Sequence, residues 1–208
     1  MLFANNDPAA LVGVLIALLV GLTFHEFSHA FVADQLGDHR PRALGRVSLN
    51  PIHHIDPMGA LMVVLVGFGW AKPVPINPAA LRPGRRAMAL VAAAGPIANV
   101  AVAVVAAVVF RLLDALGLPD FVVAAAGYTV LFNFVLAIFN LVPIPPLDGY
   151  NIVLPLLPPR QQFTVQRYAQ YGYLALLLLL VLSYGTNNGP LDWLFGFASG
   201  IAGYLLGA

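Results

Sequence analysis

The chain has 208 residues with 10 Lys or Arg against 9 Asp or Glu, and a formal net charge of +1 offers neither a basic field for nucleic acid nor an acidic surface for a basic partner. Hydrophobic side chains make up 60% and charged ones 9%, against roughly 25% charged in soluble domains, so the composition is that of an integral membrane protein. With no Cys, disulfides and thiolate metal ligands are excluded, and any metal must be held by His, Asp or Glu.

The expected fold is all-α: a polytopic helical bundle of about five spans, with a re-entrant or strand-like segment near 58–76. Its 19 Gly and 17 Pro are scattered through apolar segments, and no repeat or linker divides the chain. One membrane-embedded domain, 1–208, is expected. The first apolar stretch is too long for the core of a cleavable signal and no Lys or Arg precedes it, so the first span is expected to act as its own signal anchor.

Residues 8–36 read as a first helix, long enough to cross about 30 Å of hydrocarbon at about 1.5 Å per residue. Within it lies Phe24-His25-Glu26-Phe27-Ser28-His29. Two imidazoles and a carboxylate are costly in a bilayer, so a chain that keeps them there has a use for them. On a helix His25 and His29 point from one face and can hold one metal ion, with Glu26 beside it. This is the H-E-x-x-H arrangement, in which the carboxylate takes a proton from a zinc-activated water and passes it to the leaving amine.

Residues 38–56 are polar and basic, and Asn50-Pro51 and Asp56-Pro57 read as turn formers. Residues 58–70 are apolar but too short to span as a helix, and the proline-rich stretch after Ala71 reads as extended. Such an excursion is tolerable at membrane depth only where protein or a water-filled cavity satisfies its backbone. Full spans come next at 87–112, with Gly95, Pro96 and Asn99, and at 121–142, with Asn133 and Asn140. Asn99 reads first as a hydrogen bond to a neighbouring helix. Prolines 143, 145 and 146 then forbid regular helix. Residues 150–158 are expected near the membrane interface, and 169–184 and 191–207 are further apolar segments around a turn at 184–190.

Topology tests this arrangement. If 58–70 turns back, segments 37–56, 71–86 and 143–168 share one side and hold nine of the ten basic residues, Arg111 being the exception. That side is then cytoplasmic, in a multi-pass protein of the cell (plasma) membrane. The break at Asp148 falls on the same face as the His25 end of the first helix.

A catalytic zinc site wants three protein ligands and an open position. His53, His54, Asp56 and Asp148 compete for the third place. Asp148 stands out because it ends a span in a proline-rigidified bend beside Gly149, where backbone can pack closely. His54 and Asp56 equally fit a solvated turn.

The chain resembles the site-2 protease family of intramembrane zinc metalloproteases, in its compact bacterial and archaeal form without PDZ or CBS domains. The resemblance rests on His25-Glu26-x-x-His29, Asn50-Pro51-x-x-His54-Ile55-Asp56-Pro57-x-Gly59, Trp70-Ala71-Lys72-Pro73-Val74-Pro75, Gly95-Pro96-x-x-Asn99, and Asn140-x-x-Pro143 leading to Leu147-Asp148-Gly149. These cover most of residues 20–150 in the family's order. The resemblance implies one Zn2+ per chain on His25, His29 and Asp148, with Glu26 as general base. It places Asn140 close to the site, for substrate or oxyanion, and includes His54 without making it a ligand. It implies a transmembrane protein as substrate within the lipid bilayer, and no nucleic acid; oligomeric state is left open. An inactive zinc-containing membrane binding protein is the main rival, disfavoured by the presence of Glu26. A metal or proton transporter is the other, disfavoured because the ionisable groups gather at one face.

Overall fold

The computed structural model describes residues 8–66, 69–82, 84–184 and 189–207. Among them the chain forms helices and turns, with no β-strand. Three long helices make the centre: α1 (Pro8–Gln35), α4 (Arg85–Ala115) and α5 (Asp120–Asn140). Between α1 and α4 lie the short α2 (Arg40–Ala43) and α3 (Pro57–Val66).

Directions are given by which residues meet. His25 touches Asn99 and His29 touches Val91, so α1 and α4 run antiparallel. Gly13 lies against Ala125 and Tyr128 and Gly21 against Asn133, so α1 and α5 run parallel. The end of α1, the start of α4 and the end of α5 therefore lie at one end of the bundle. The connection 36–84 starts and finishes on that side, as a segment that turns back requires.

Small side chains allow the close approach on which membrane helices depend for packing. Ala17, Ala30 and Ala33 of α1, Ala87 and Ala92 of α4 and Ala137 of α5 are all buried. Large apolar side chains face outward instead, among them Ile97, Val105 and Leu112 of α4. The largest fully buried side chains include His54, Asn99 and Asn133 beside Val91 and Val130, so several polar side chains are kept inside while many large apolar ones face out. That arrangement suits a lipid surround.

The segment near 58–76 departs from a strand-like reading. Residues Pro57–Val66 are a helix of 10 residues, and about 15 Å of length cannot cross the bilayer. Asp56-Pro57 reads as a turn former in sequence, but here it starts the helix. The Asp56 carboxylate accepts the N–H of Met58 (3.0 Å) and Gly59 (2.9 Å), and Pro57 takes the first position, where no N–H is needed. Beyond residues 67–68, which lie outside the described part, the chain is extended with one antiparallel bridge, Ala71 to Ile55. Pro73, Pro75 and Pro78 cannot donate, which prevents a ladder.

This extended arm is pinned along its length. The N–H of Lys72 donates to the His54 carbonyl (2.8 Å) and that of Arg82 to the Leu36 carbonyl (2.7 Å). The buried Arg46 guanidinium donates to the carbonyls of His53, Lys72 and Pro73. The Asn77 N–H donates to the buried carboxylate of Asp38, which also pairs with Arg40 at 2.9 Å. The Arg40 guanidinium holds the Asp38 carboxyl below its ordinary range.

After α5 the proline-rich bend leads into α6 (Asp148–Val153), and the turn Leu154–Leu156 continues it. Both pack on α4, so Asp148–Leu156 folds back on the bundle. Then come α7 (Pro159–Tyr168), α8 (Gly172–Tyr184) and α9 (Pro190–Leu206). Four described segments are long and apolar enough to cross a membrane: Leu11–Gln35, Arg86–Ala115, Asp120–Asn140 and Pro159–Ser183. The 17 residues of α9 sit at the lower length limit for a fifth. Ala198 and Ala202 pack α9 against α4 and α5, and Arg111 Nε donates to the Leu205 carbonyl (2.8 Å). Most of the turn expected at 184–190 lies outside the described residues.

Candidate metal centre

The unbroken helix α1 carries His25 and His29 one turn apart, both buried, with ring centroids 4.5 Å apart. Asp148 reaches them from the first position of α6. Its Oδ2 lies 3.1 Å from His25 Nε2 and 3.2 Å from His29 Nε2, and the two Nε2 atoms are 3.0 Å apart. Among the described residues this is the one group of three or more His, Asp or Glu side chains so arranged.

The outward ring nitrogens decide what the inward ones carry. His29 Nδ1 lies 2.7 Å from the Val91 carbonyl, which can only accept, so Nδ1 bears the proton. His25 Nδ1 lies 2.7 Å from Asn99 Oδ1, while the Asn99 amide N–H donates to the Gly21 carbonyl (3.0 Å). His25 therefore also donates from Nδ1. In the neutral rings both Nε2 atoms then present lone pairs, and they face a buried Asp148 Oδ2 that accepts no hydrogen bond. Three lone pairs converging away from water repel unless a cation sits among them. Tetrahedral zinc with arms of about 2.1 Å would space its ligands about 3.4 Å apart, so the observed triangle fits that ion with little adjustment.

Two glycines make the triangle possible. A Cβ on Gly95 of α4 would land on both imidazoles. A Cβ on Gly149 would land on the Leu141 and Val142 carbonyls and prevent α6 from starting where it brings Asp148 inward.

The other sequence candidates separate clearly. Glu26 is half-buried on α1 between the two histidines. Asn140 ends α5, half-buried, and donates to the Leu136 carbonyl (2.9 Å). His54 is buried, but its Nε2 donates to the Ser48 carbonyl (2.7 Å) and it is not in the cluster. His53 bonds the Gly45 carbonyl and Asp56 caps α3, so neither joins Asp148. Asn99 is the residue whose part was least visible in sequence. It does bond a neighbouring helix, as a buried amide should, but its carbonyl end orients a cluster histidine.

A family model described as "Peptidase family M50" matches residues 119–183. The chain is 37% identical over 179 residues to "Putative zinc metalloprotease YwhC" of Bacillus subtilis, covering 83% of this chain and 82% of the relative. It is 32% identical over 215 residues to "Putative zinc metalloprotease Rip2" of Mycolicibacterium smegmatis, covering 97% and 81% respectively. Rip2 of Mycobacterium tuberculosis is 33% identical over 202 residues, covering 91% and 74%. No solved structure matches the chain significantly.

Proposed function

The chain belongs to peptidase family M50, the site-2 proteases, and on that footing we propose that it is an intramembrane endopeptidase cutting a peptide bond in or near a transmembrane segment of another membrane protein. It is a multi-pass zinc metalloprotease, one Zn2+ being taken per chain. The observation that carries the reading is the meeting of two imidazole lone pairs and a carboxylate oxygen inside an apolar bundle, with a second carboxylate, Glu26, between the histidines in the chain.

His25, His29 and Asp148 hold the metal. Bound there, zinc supplies Lewis acidity, acidifying a water and polarising a carbonyl. Glu26 takes a proton from the attacking water at its carboxylate and delivers it to the nitrogen of the departing amine. Asn140, at the end of the helix that precedes Asp148, serves the substrate or the oxyanion with the amide N–H that Leu136 does not use. His54 stays a loop-fixing residue through Ser48.

The catalytic end faces the cytoplasm of the cell membrane. Supporting this, the end of α1, the start of α4 and the end of α5 share one side, and segments 37–56, 71–86 and 143–168, which adjoin those ends in the chain, contain nine of the ten basic residues. Arg111 stands at the opposite end of α4. A helical substrate must unwind before its amides can be attacked.

Purified protein in detergent or liposomes tests the reading directly. Native protein and Glu26→Gln should both bind zinc, and only the native protein should cleave single-span membrane substrates. Well-folded native protein that takes up no zinc would overturn it.

A further inference from the structure

The hydrogen bonds behind His25 continue past Asn99. The second N–H of the Asn99 amide donates to Asn133 Oδ1 (2.9 Å), and the Asn133 amide donates to the Thr129 carbonyl (2.8 Å), one turn back on α5. Asn99 and Asn133 are each 0% exposed. Three helices thus contribute to one chain of polar groups in the middle of an apolar bundle.

Every step of that chain has a single direction. The Thr129 carbonyl can only accept, so Asn133 turns its nitrogen toward Thr129 and its oxygen toward Asn99. The Gly21 carbonyl and Asn133 Oδ1 can only accept, so Asn99 turns its nitrogen toward both. Asn99 Oδ1 is left facing His25 Nδ1, which must then carry the ring proton, and the lone pair falls on Nε2. We infer that Asn99 and Asn133 are positioning residues for the metal centre, a relay anchored on the Gly21 and Thr129 carbonyls that fixes His25 in the one neutral tautomer able to bind metal through Nε2.

The relay explains why two amides are kept in the bundle. A single Asn99 could rotate by half a turn, present N–H to His25 and drive the proton to Nε2, blocking the metal position. Reversal costs two acceptor-to-acceptor clashes when Asn133 is present and one when it is not. Partners of this kind typically contribute 10–100-fold to metal affinity. Because the Gly21 carbonyl still holds one Asn99 N–H when Asn133 is removed, the low end of that range applies.

The inference rests on the zinc reading, and the test separates the two. Zinc affinity is measured by chelator competition on the whole protein in detergent for native, Asn133→Leu, Asn133→Ala and Asn133→Asp. Nitrogen-15 imidazole NMR on the metal-free protein reports the His25 tautomer. A neutral Asp can accept from Asn99 and donate to Thr129, as the amide does. The expected result is affinity about tenfold weaker in Leu and Ala, with a rise in the Nε2–H tautomer of His25, and affinity within about twofold of native in Asp. Leu and Ala variants that bind like native, or an Asp variant as weak as they are, would overturn the relay. Native protein that binds no zinc would instead overturn the zinc reading itself.

Discussion

Gly95 of α4 faces the His29 imidazole so closely that a side chain of a single carbon would overlap Nε2, the atom turned toward His25 and Asp148. The metal centre is therefore shaped by a missing side chain as much as by its donors. Gly95→Ala should weaken zinc binding by about 5- to 150-fold, because the rings must leave their positions to admit the methyl and overpacking of this kind costs about 1–3 kcal/mol. Chelator competition and helix content by circular dichroism measure it together. Native zinc affinity in the variant would show that the rings have slack the geometry denies.

Asp148→Ala should leave two histidines and lose stoichiometric zinc on dialysis against a chelator that the native protein withstands. Asp148→Asn should retain the shape and still bind poorly, since a neutral amide oxygen replaces an anionic donor. Zinc content by atomic absorption decides this. Full retention in both would move the third ligand elsewhere.

Asp56→Ala provides the complementary measurement. Its carboxylate caps α3, so the expected cost is about 1 kcal/mol of local stability, read as faster proteolysis of the 57–66 segment, with zinc content unchanged. Zinc loss in this variant would make Asp56 a ligand after all.

Stability toward acid should depend on Asp38. Arg40 lowers its folded carboxyl pKa below the ordinary 3.8, so between the two values the unfolded chain binds more protons and stability rises with pH. The contribution is present above the ordinary pKa and is lost as pH falls through the lower, folded one. Native protein should thus lose thermal stability more steeply below about pH 4 than Asp38→Asn does. Identical acid limbs would mean the pair does not hold the arm through Asn77.

Chelation probes the repulsion among the three inward donors. Stripping zinc should lower the thermal midpoint, and restoring it should recover the midpoint with one equivalent per chain, because the cation relieves that repulsion. A midpoint indifferent to zinc would mean the triangle is satisfied without it.

Much of this molecule is readable without its fold, for identifiable reasons. His25 and His29 share a face wherever their helix sits, because a turn of 3.6 residues is a property of the backbone alone. Segments 8–36, 87–112 and 121–142 can be assigned as spans because a bilayer demands about twenty apolar residues and leaves little choice of structure. Asp56-Pro57 misleads, since the same pair favours a turn or a helix start, and here the Asp56 carboxylate takes up the N–H groups of Met58 and Gly59 to start a helix. Asn99 and Asn133 are visible as buried amides, but a buried amide bonds some neighbour in nearly every membrane helix.

What the sequence alone determined, then, was local: the helical spans, the H-E-x-x-H face and the short list of other donors. The tertiary structure decided which of those donors meet. Parallel α1 and α5, antiparallel α4 and a bend after α5 bring Asp148 to the histidines, give Gly95 to their rings and put Asn99 behind His25. No local pattern encodes that choice, because a third donor and a hydrogen-bond direction depend on distances between helices, and packing alone sets those distances.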